Sequence, residues 1–443
     1  MNRKIQLLIF LVGCAAISPS LMAQRNTTDA LIKNLQSRVK LYPDDYAAFD
    51  GLGAAYLQKG RETGDSADYE LAKTAFGKSL DLLSNDPAAA SAMTHMAVTY
   101  MAEHQFDDAL AWAQNAIALG SGDPTPWAIA GDALADMGNY AAAAEAYAKL
   151  QSADDSRGEA LAISYQRESR MSYLRFIAGD TRGAIGLMTS ALRISIETHM
   201  PAENIAWSQY QLGDEFFQLG DIATAEKNYL AAVDEYPGYY RALAGLAKVR
   251  IAQGRYSDAA ELLTKALAVV PYPEYAAALG DVYRKMGQNE EAKKQYDLVE
   301  FIGHLSEINQ QIHNRDLALF YADHELNLEQ SLVLARTELE VRRDVYTWDV
   351  LAWSLLKNDK LQESADAIEH ALARGTQDAT LYFHAGMIYE RLGESDKAKG
   401  YLERALALNP HFHIFDADVA AQTLARLTSD PSDASRQEAS NAR

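Results

Sequence analysis

The chain has 443 residues, 48% of them apolar, with 61 acidic against 41 basic side chains and a formal charge of −20. Phosphate backbones and anionic leaflets both call for a basic face, so neither nucleic acid nor a charged membrane surface is an expected partner. The only cysteine, Cys14, has no disulfide partner, so stability must come from packing.

Residues 1–23 have the three-part layout of a secretory signal: Arg3 and Lys4, an apolar run from Ile5 to Ile17, then small residues with Pro19 and Ala23. The run is too short for a spanning helix, which needs about 20 residues. Cleavage after Ala23 is the expected outcome, delivering the chain to a periplasm or outside the cell. The alternative is a lipid anchor, because Leu11 to Cys14 resembles a bacterial lipobox. Residues 24–45 then read as a lone capping helix with Leu31, Leu35 and Val39 on one stripe.

From Tyr46 the chain counts in units of helix, turn and helix. Residues 46–158 hold units 1–3, 159–306 units 4–7 and 307–412 units 8–10. In unit 1 about seven extra residues follow Gly60, which reads as a lengthened turn. Units 5 and 6, from Trp207 to Pro271, set the register. Leu212 answers to Leu246, Gly220 to Gly254, Ala225 to Ala259, Ala232 to Ala266 and Pro237 to Pro271. In unit 5, Leu212, Gly213 and Phe216 share one helical face, as spacings of three and four require. Gly213 leaves room for a close helix, Gly220 ends the first helix, and Pro237 stops the second. Such a unit cannot bury its apolar face alone and must stack on a copy.

The period and these positions resemble the tetratricopeptide (TPR) repeat, as do the blocks with Trp127, Gly131, Tyr140 and Tyr147 and with Tyr382, Ala385, Gly386 and Pro410. The resemblance implies an all-α fold, a right-handed α-solenoid, acting as a protein-binding scaffold. Between Phe301 and Asp344 the pattern fades. Leu317 to Glu340 would make a helix pair, with no turn glycine and looser packing expected. A last capping helix, 413–428, would start from Asp416 or Asp418, and 429–443 reads as disordered.

No nucleophile elbow, zinc helix or phosphate loop is present. No catalysis, cofactor or metal is expected. The one group suggesting otherwise is His411, His413, Asp416 and Asp418, with His384; these read better as helix-end partners. The expected site is the concave groove, which the family lines with the first helix of each unit. Its inward stripe would be Trp207, Tyr210, Asp214 and Phe217 in unit 5, Arg241 and Lys248 in unit 6, and Arg284 in unit 7. Tyr346, Asp349 and Trp353 would continue it in unit 9, and Phe383 in unit 10. Rings mixed with a few charges suit a protein or peptide partner.

Overall fold

The computed structural model describes residues 19–63, 65–83, 86–120, 122–151, 157–308 and 314–429. Cys14, most of the signal-like segment and the tail beyond Ser429 lie outside the described residues. Among the described residues there are 22 helices and no strand. Helix α1 (Pro19–Leu41) precedes ten sequential pairs. Units 1 to 3 are α2 (Tyr46–Thr63) with α3 (Ser66–Leu83), α4 (Ala89–Ala102) with α5 (Phe106–Ala118), and α6 (Thr125–Asp136) with α7 (Tyr140–Ala148). Units 4 to 7 are α8 (Arg157–Ile177) with α9 (Thr181–Glu197), α10 (Ala202–Gln218) with α11 (Ile222–Glu235), α12 (Tyr240–Ala252) with α13 (Tyr256–Val269), and α14 (Pro273–Lys285) with α15 (Asn289–Ile308). Units 8 to 10 are α16 (Asn314–Asp323) with α17 (Leu328–Val341), α18 (Val345–Lys357) with α19 (Leu361–Leu372), and α20 (Ala379–Arg391) with α21 (Ser395–Leu408); α22 (Asp416–Thr428) closes the series.

Unit 5 shows why these residues form such a pair. A Cβ on Gly213 would lie 2.5 Å from the Tyr229 ring, so only glycine lets α10 approach the fully buried ring of α11. Gly220 takes a left-handed φ of 73°, and Asp221 then accepts a 3.1 Å bond from the Thr224 amide to cap α11. Three units make the turn without glycine, using left-handed His104, Glu325 with Asn327, and Asp359. This is why the unit 8 turn carries no sequence signal.

First helices of successive units also pack on each other, as α10 on α12 and α18 on α20, while second helices make no comparable contact. The closer spacing of the first helices puts them on the inside of the curve. The curve is tight enough for each turn of the coil to meet the next, five units on. Arg343 N donates to Asp136 O at 3.2 Å, and Val345 N to the Tyr140 hydroxyl at 3.0 Å. The Thr376 hydroxyl donates to Ile177 O at 2.6 Å, and the Asn409 amide to Phe217 O at 2.8 Å. One core cluster accordingly joins Tyr140, Tyr147 and Ile177 to Phe320, Trp353 and Phe383.

Four sequence expectations are corrected. The extra residues of unit 1 extend both helices instead of a loop: Gly60 lies inside α2, against the Tyr69 ring. On α1 the buried side chain is Ile32, and Leu31 points out. Unit 8 is well packed, with Leu317, Ala318, Phe320, Tyr321, Leu332 and Ala335 buried. Neither Asp416 nor Asp418 caps α22. They sit in its first turn and pair with His413 at 2.9 Å and Lys285 at 3.0 Å.

Candidate protein-binding surface

The inner wall is built from a device used three times. An aspartate follows the packing glycine of the first helix and accepts the hydroxyl of the ring that the glycine admits. Tyr147 donates to Asp132 at 2.9 Å, Tyr229 to Asp214 at 2.6 Å and Tyr296 to Asp281 at 2.8 Å. Each aspartate also takes a basic side chain from the next unit: Arg170 at 2.8 Å, Lys248 at 3.3 Å and His324 at 2.8 Å. One carboxylate thus ties a unit to itself and to its neighbour. The Gly-Asp pair with a tyrosine 15 residues after the aspartate was visible in the sequence, and its meaning was missed.

Of the eleven groove residues expected, seven keep surface. Lys248 is open, with half of its side chain exposed. Asp214 holds its ammonium above the ordinary lysine range against the cost of burial, and Asp378 of unit 10 adds to the effect. Trp207, Tyr210, Asp214, Arg241 and Tyr346 are half-buried, and Arg284 is exposed. Burial raises the Tyr210 and Tyr346 hydroxyls well above the usual phenol range, with Asp214 acting on the first and Asp378 on the second. Arg241 lies 5.3 Å over the Tyr240 ring and Arg284 4.7 Å over Phe415.

The other four are corrected: Phe217, Asp349, Trp353 and Phe383 are buried. Phe217 packs with Tyr229 and Val249. Trp353 donates to Asp323 at 2.7 Å and stacks on His384 at 4.2 Å, and His384 pairs with Asp349 at 2.9 Å. Phe383 meets Phe412 at 5.5 Å. The coil turns so tightly here that the side of each first helix expected to face a groove is covered by the next unit. One ring that the stripe omitted, Tyr173 of unit 4, is 36% exposed on a first helix, near Tyr346 and Arg315.

Of the carboxy-terminal histidines, His413 forms an ion pair, while the His411 main-chain amide donates to Asn409. His413 pairs with Asp416, which together with Asp323 raises the imidazole to about 9 despite burial. Among the described residues no group of three or more His, Cys, Asp or Glu side chains is placed to hold a metal.

Family models of the tetratricopeptide repeat match residues 216–282, residues 379–412, and residues 125–157 with 273–299. The chain is a tetratricopeptide repeat protein. The residues matched include Tyr147, Tyr229 and Tyr296, the three rings whose hydroxyls meet the wall's aspartates. No curated protein matches the TPR chain. Among solved structures it is similar to a tetratricopeptide repeat protein from Parabacteroides merdae ATCC 43184. That match has 18% identity over 60% of this chain and 99% of the other, with a TM-score of 0.34. It is also similar to yeast Tom70, with 13% identity over 88% and 99% and a TM-score of 0.31. A third is the human IFIT1 dimer with PPP-AAAA, with 16% identity over 82% and 72% and a TM-score of 0.39. As a TPR scaffold it belongs to a class that binds protein partners, and among the described residues no helix is long and apolar enough to cross a membrane.

Proposed function

We propose that this TPR protein is an exported scaffold that holds an extended segment of a partner protein along the inner face of its coil and performs no chemistry. The observation that carries this reading is the set of side chains left over by the packing. Tyr173, Tyr210, Arg241, Lys248 and Tyr346 retain surface on first helices, on a wall held by the aspartate bridges. Rigid rings with a few charges, already desolvated on one side, are what binding hot spots consist of. Preorganised walls also lower the ordering cost of binding.

Export is supported by Arg3, Lys4 and the apolar run before Ala23. Mass measurement of the chain from its host tests it. A start at Gln24 fits release, a lipid-modified start at Cys14 fits an anchored adaptor for envelope assembly or secretion, and an intact Met1 in the cytoplasm removes both. The inner face is tested with a photo-crosslinking residue at Lys248 and, as control, at exposed Lys265 on α13. Discrete adducts from Lys248 alone support the proposal. Adducts from Lys265 alone, or the same adducts from both, would place binding elsewhere.

A further inference from the structure

Where one turn of the coil lies on the next, the chain usually closes the seam with its own atoms. Tyr140 takes the Val345 amide, Thr376 reaches Ile177 and Asn409 reaches Phe217. Guanidinium groups seat on rings along the same seam. Arg342 lies 4.9 Å over Phe106 and Arg374 5.1 Å over Tyr140. A cation on an aromatic face is therefore the recurring fastener between turns.

At the amino-terminal end the seam stands open. The extended tip of α2, with Gln58, Arg61 and Glu62, faces unit 5 and the junction with unit 6 across a cleft of about 390 Å³. The far wall presents Trp207 and Tyr236, both half-buried, with exposed Glu203 at the rim. At about 30 Å³ per water, the space holds on the order of a dozen waters or one long side chain with its hydration. Trp207 is a ring of the kind the closed seams use, without their cation. Among the described residues no guanidinium or ammonium lies over it; Arg61, on the opposite wall, donates to Gln58 at 3.0 Å. Two carboxylates against one guanidinium leave the cleft negative, and Glu203 and Glu62 both act on the Tyr236 hydroxyl.

We infer that this cleft receives a lysine or arginine side chain from an extended partner polypeptide, seated over Trp207 beside Tyr236 and hydrogen-bonded to Glu203. The site is separate from the Tyr210, Arg241 and Lys248 surface and goes beyond the reading above; Trp207, expected in the groove, lines this cleft instead. The bound cation does for this seam what Arg342 and Arg374 do for the others. Because its walls come from α2 and from units 5 and 6, occupancy ties the first unit to the second turn of the coil.

The test is fluorescence anisotropy of the full chain with a labelled, end-blocked nonapeptide of Gly, Ser and three Lys residues, and with its Glu-for-Lys counterpart. Glu203→Gln and Trp207→Leu should each weaken the lysine peptide about fivefold or more. Glu261→Gln, which removes the same charge from the outer surface of α13, should leave it within about twofold, and the glutamate peptide should not bind. Trp207 packs partly on the core around Met188 and Ala206, so its variant is read only if its melting temperature holds. If it does not, the exposed Glu203 variant decides by itself. Equal loss from Glu203→Gln and Glu261→Gln would reduce the effect to overall charge and overturn the assignment. So would preference for the glutamate peptide, or no binding of the lysine peptide at millimolar concentration.

Discussion

The side-chain amide of Asn409 donates a 2.8 Å hydrogen bond to the main-chain carbonyl of Phe217, 192 residues earlier in the chain. Asn409 is fully buried, and its Oδ1 accepts the amide of His411 at 2.9 Å. One side chain therefore ends α21 and fastens unit 10 to unit 5. Close by, a Cβ on Gly220 would lie 2.7 Å from the carbonyl of Leu408, so the same glycine serves a local turn and a distant contact.

Asn409→Ala is expected to lower stability by about 1–3 kcal/mol, because buried polar groups lose partners on both sides of the seam. Urea unfolding measures this, and small-angle scattering should show a larger radius as the two turns part. An unchanged radius with full stability would mean that packing alone holds the turns together.

Tyr229 is wedged between two units, its ring against both Gly213 and Gly245. Gly213→Ala should cost about 1–3 kcal/mol by overpacking. Adding Tyr229→Leu should cost less than the sum of the two single changes, since the shorter side chain relieves the clash. Tyr229→Phe, which removes only the hydroxyl on Asp214, should cost about 1 kcal/mol. Thermal melts of the four variants decide. Strict additivity would show that the glycine is not there for the ring.

The unit count was readable because its signals are local. Gly213, Ala225 and Pro237 answer to neighbours within one helix pair, and Gly220 shows in the sequence through its local turn. The groove was not readable from such signals. Which side of a first helix faces inward depends on the rotation between units, and the tight coil turns Trp353 and Phe383 into the packing. The hydrogen bonds across the seam join residues 192 to 207 apart, so no spacing in the sequence announces them. The extra turn of unit 1 was visible, but reading it as a loop hid the wall it builds for the cleft.

The buried and exposed members of the expected groove give a direct comparison. Trp353→Ala removes a 4% exposed indole, its bond to Asp323 and its stack on His384, and should cost about 3–5 kcal/mol. Lys248→Ala breaks a half-exposed ion pair, and should change stability by no more than about 1 kcal/mol while weakening any inner-face partner. Melting temperatures separate the two. Equal melting temperatures for both variants would contradict the packing of unit 9 described above.

Glu215 provides a prediction in pH. It lies 9% exposed on α10, with Oε1 accepting from the Ser172 hydroxyl at 2.9 Å and Oε2 without a partner among the described residues. Burial pushes its carboxyl up to about 7 from an ordinary 4.5; the serine bond opposes the shift, and neighbouring Asp214 adds to it. A carboxyl raised on folding holds its proton more tightly in the native state. Its contribution is therefore fully present below about pH 4.5 and is lost as pH rises through about 7. At about 1.4 kcal/mol per pKa unit, the loss above pH 7 amounts to about 3 kcal/mol. Asp136, raised to about 6 by burial, slopes the same way, so the informative quantity is the difference between variant and wild type. Glu215→Gln keeps the neutral hydrogen-bonding shape at every pH. It should match the wild type near pH 5 and exceed it by about 2–3 kcal/mol near pH 8, read from urea midpoints at both values. A constant offset across the range would mean that Glu215 ionises in the fold as readily as in the unfolded chain.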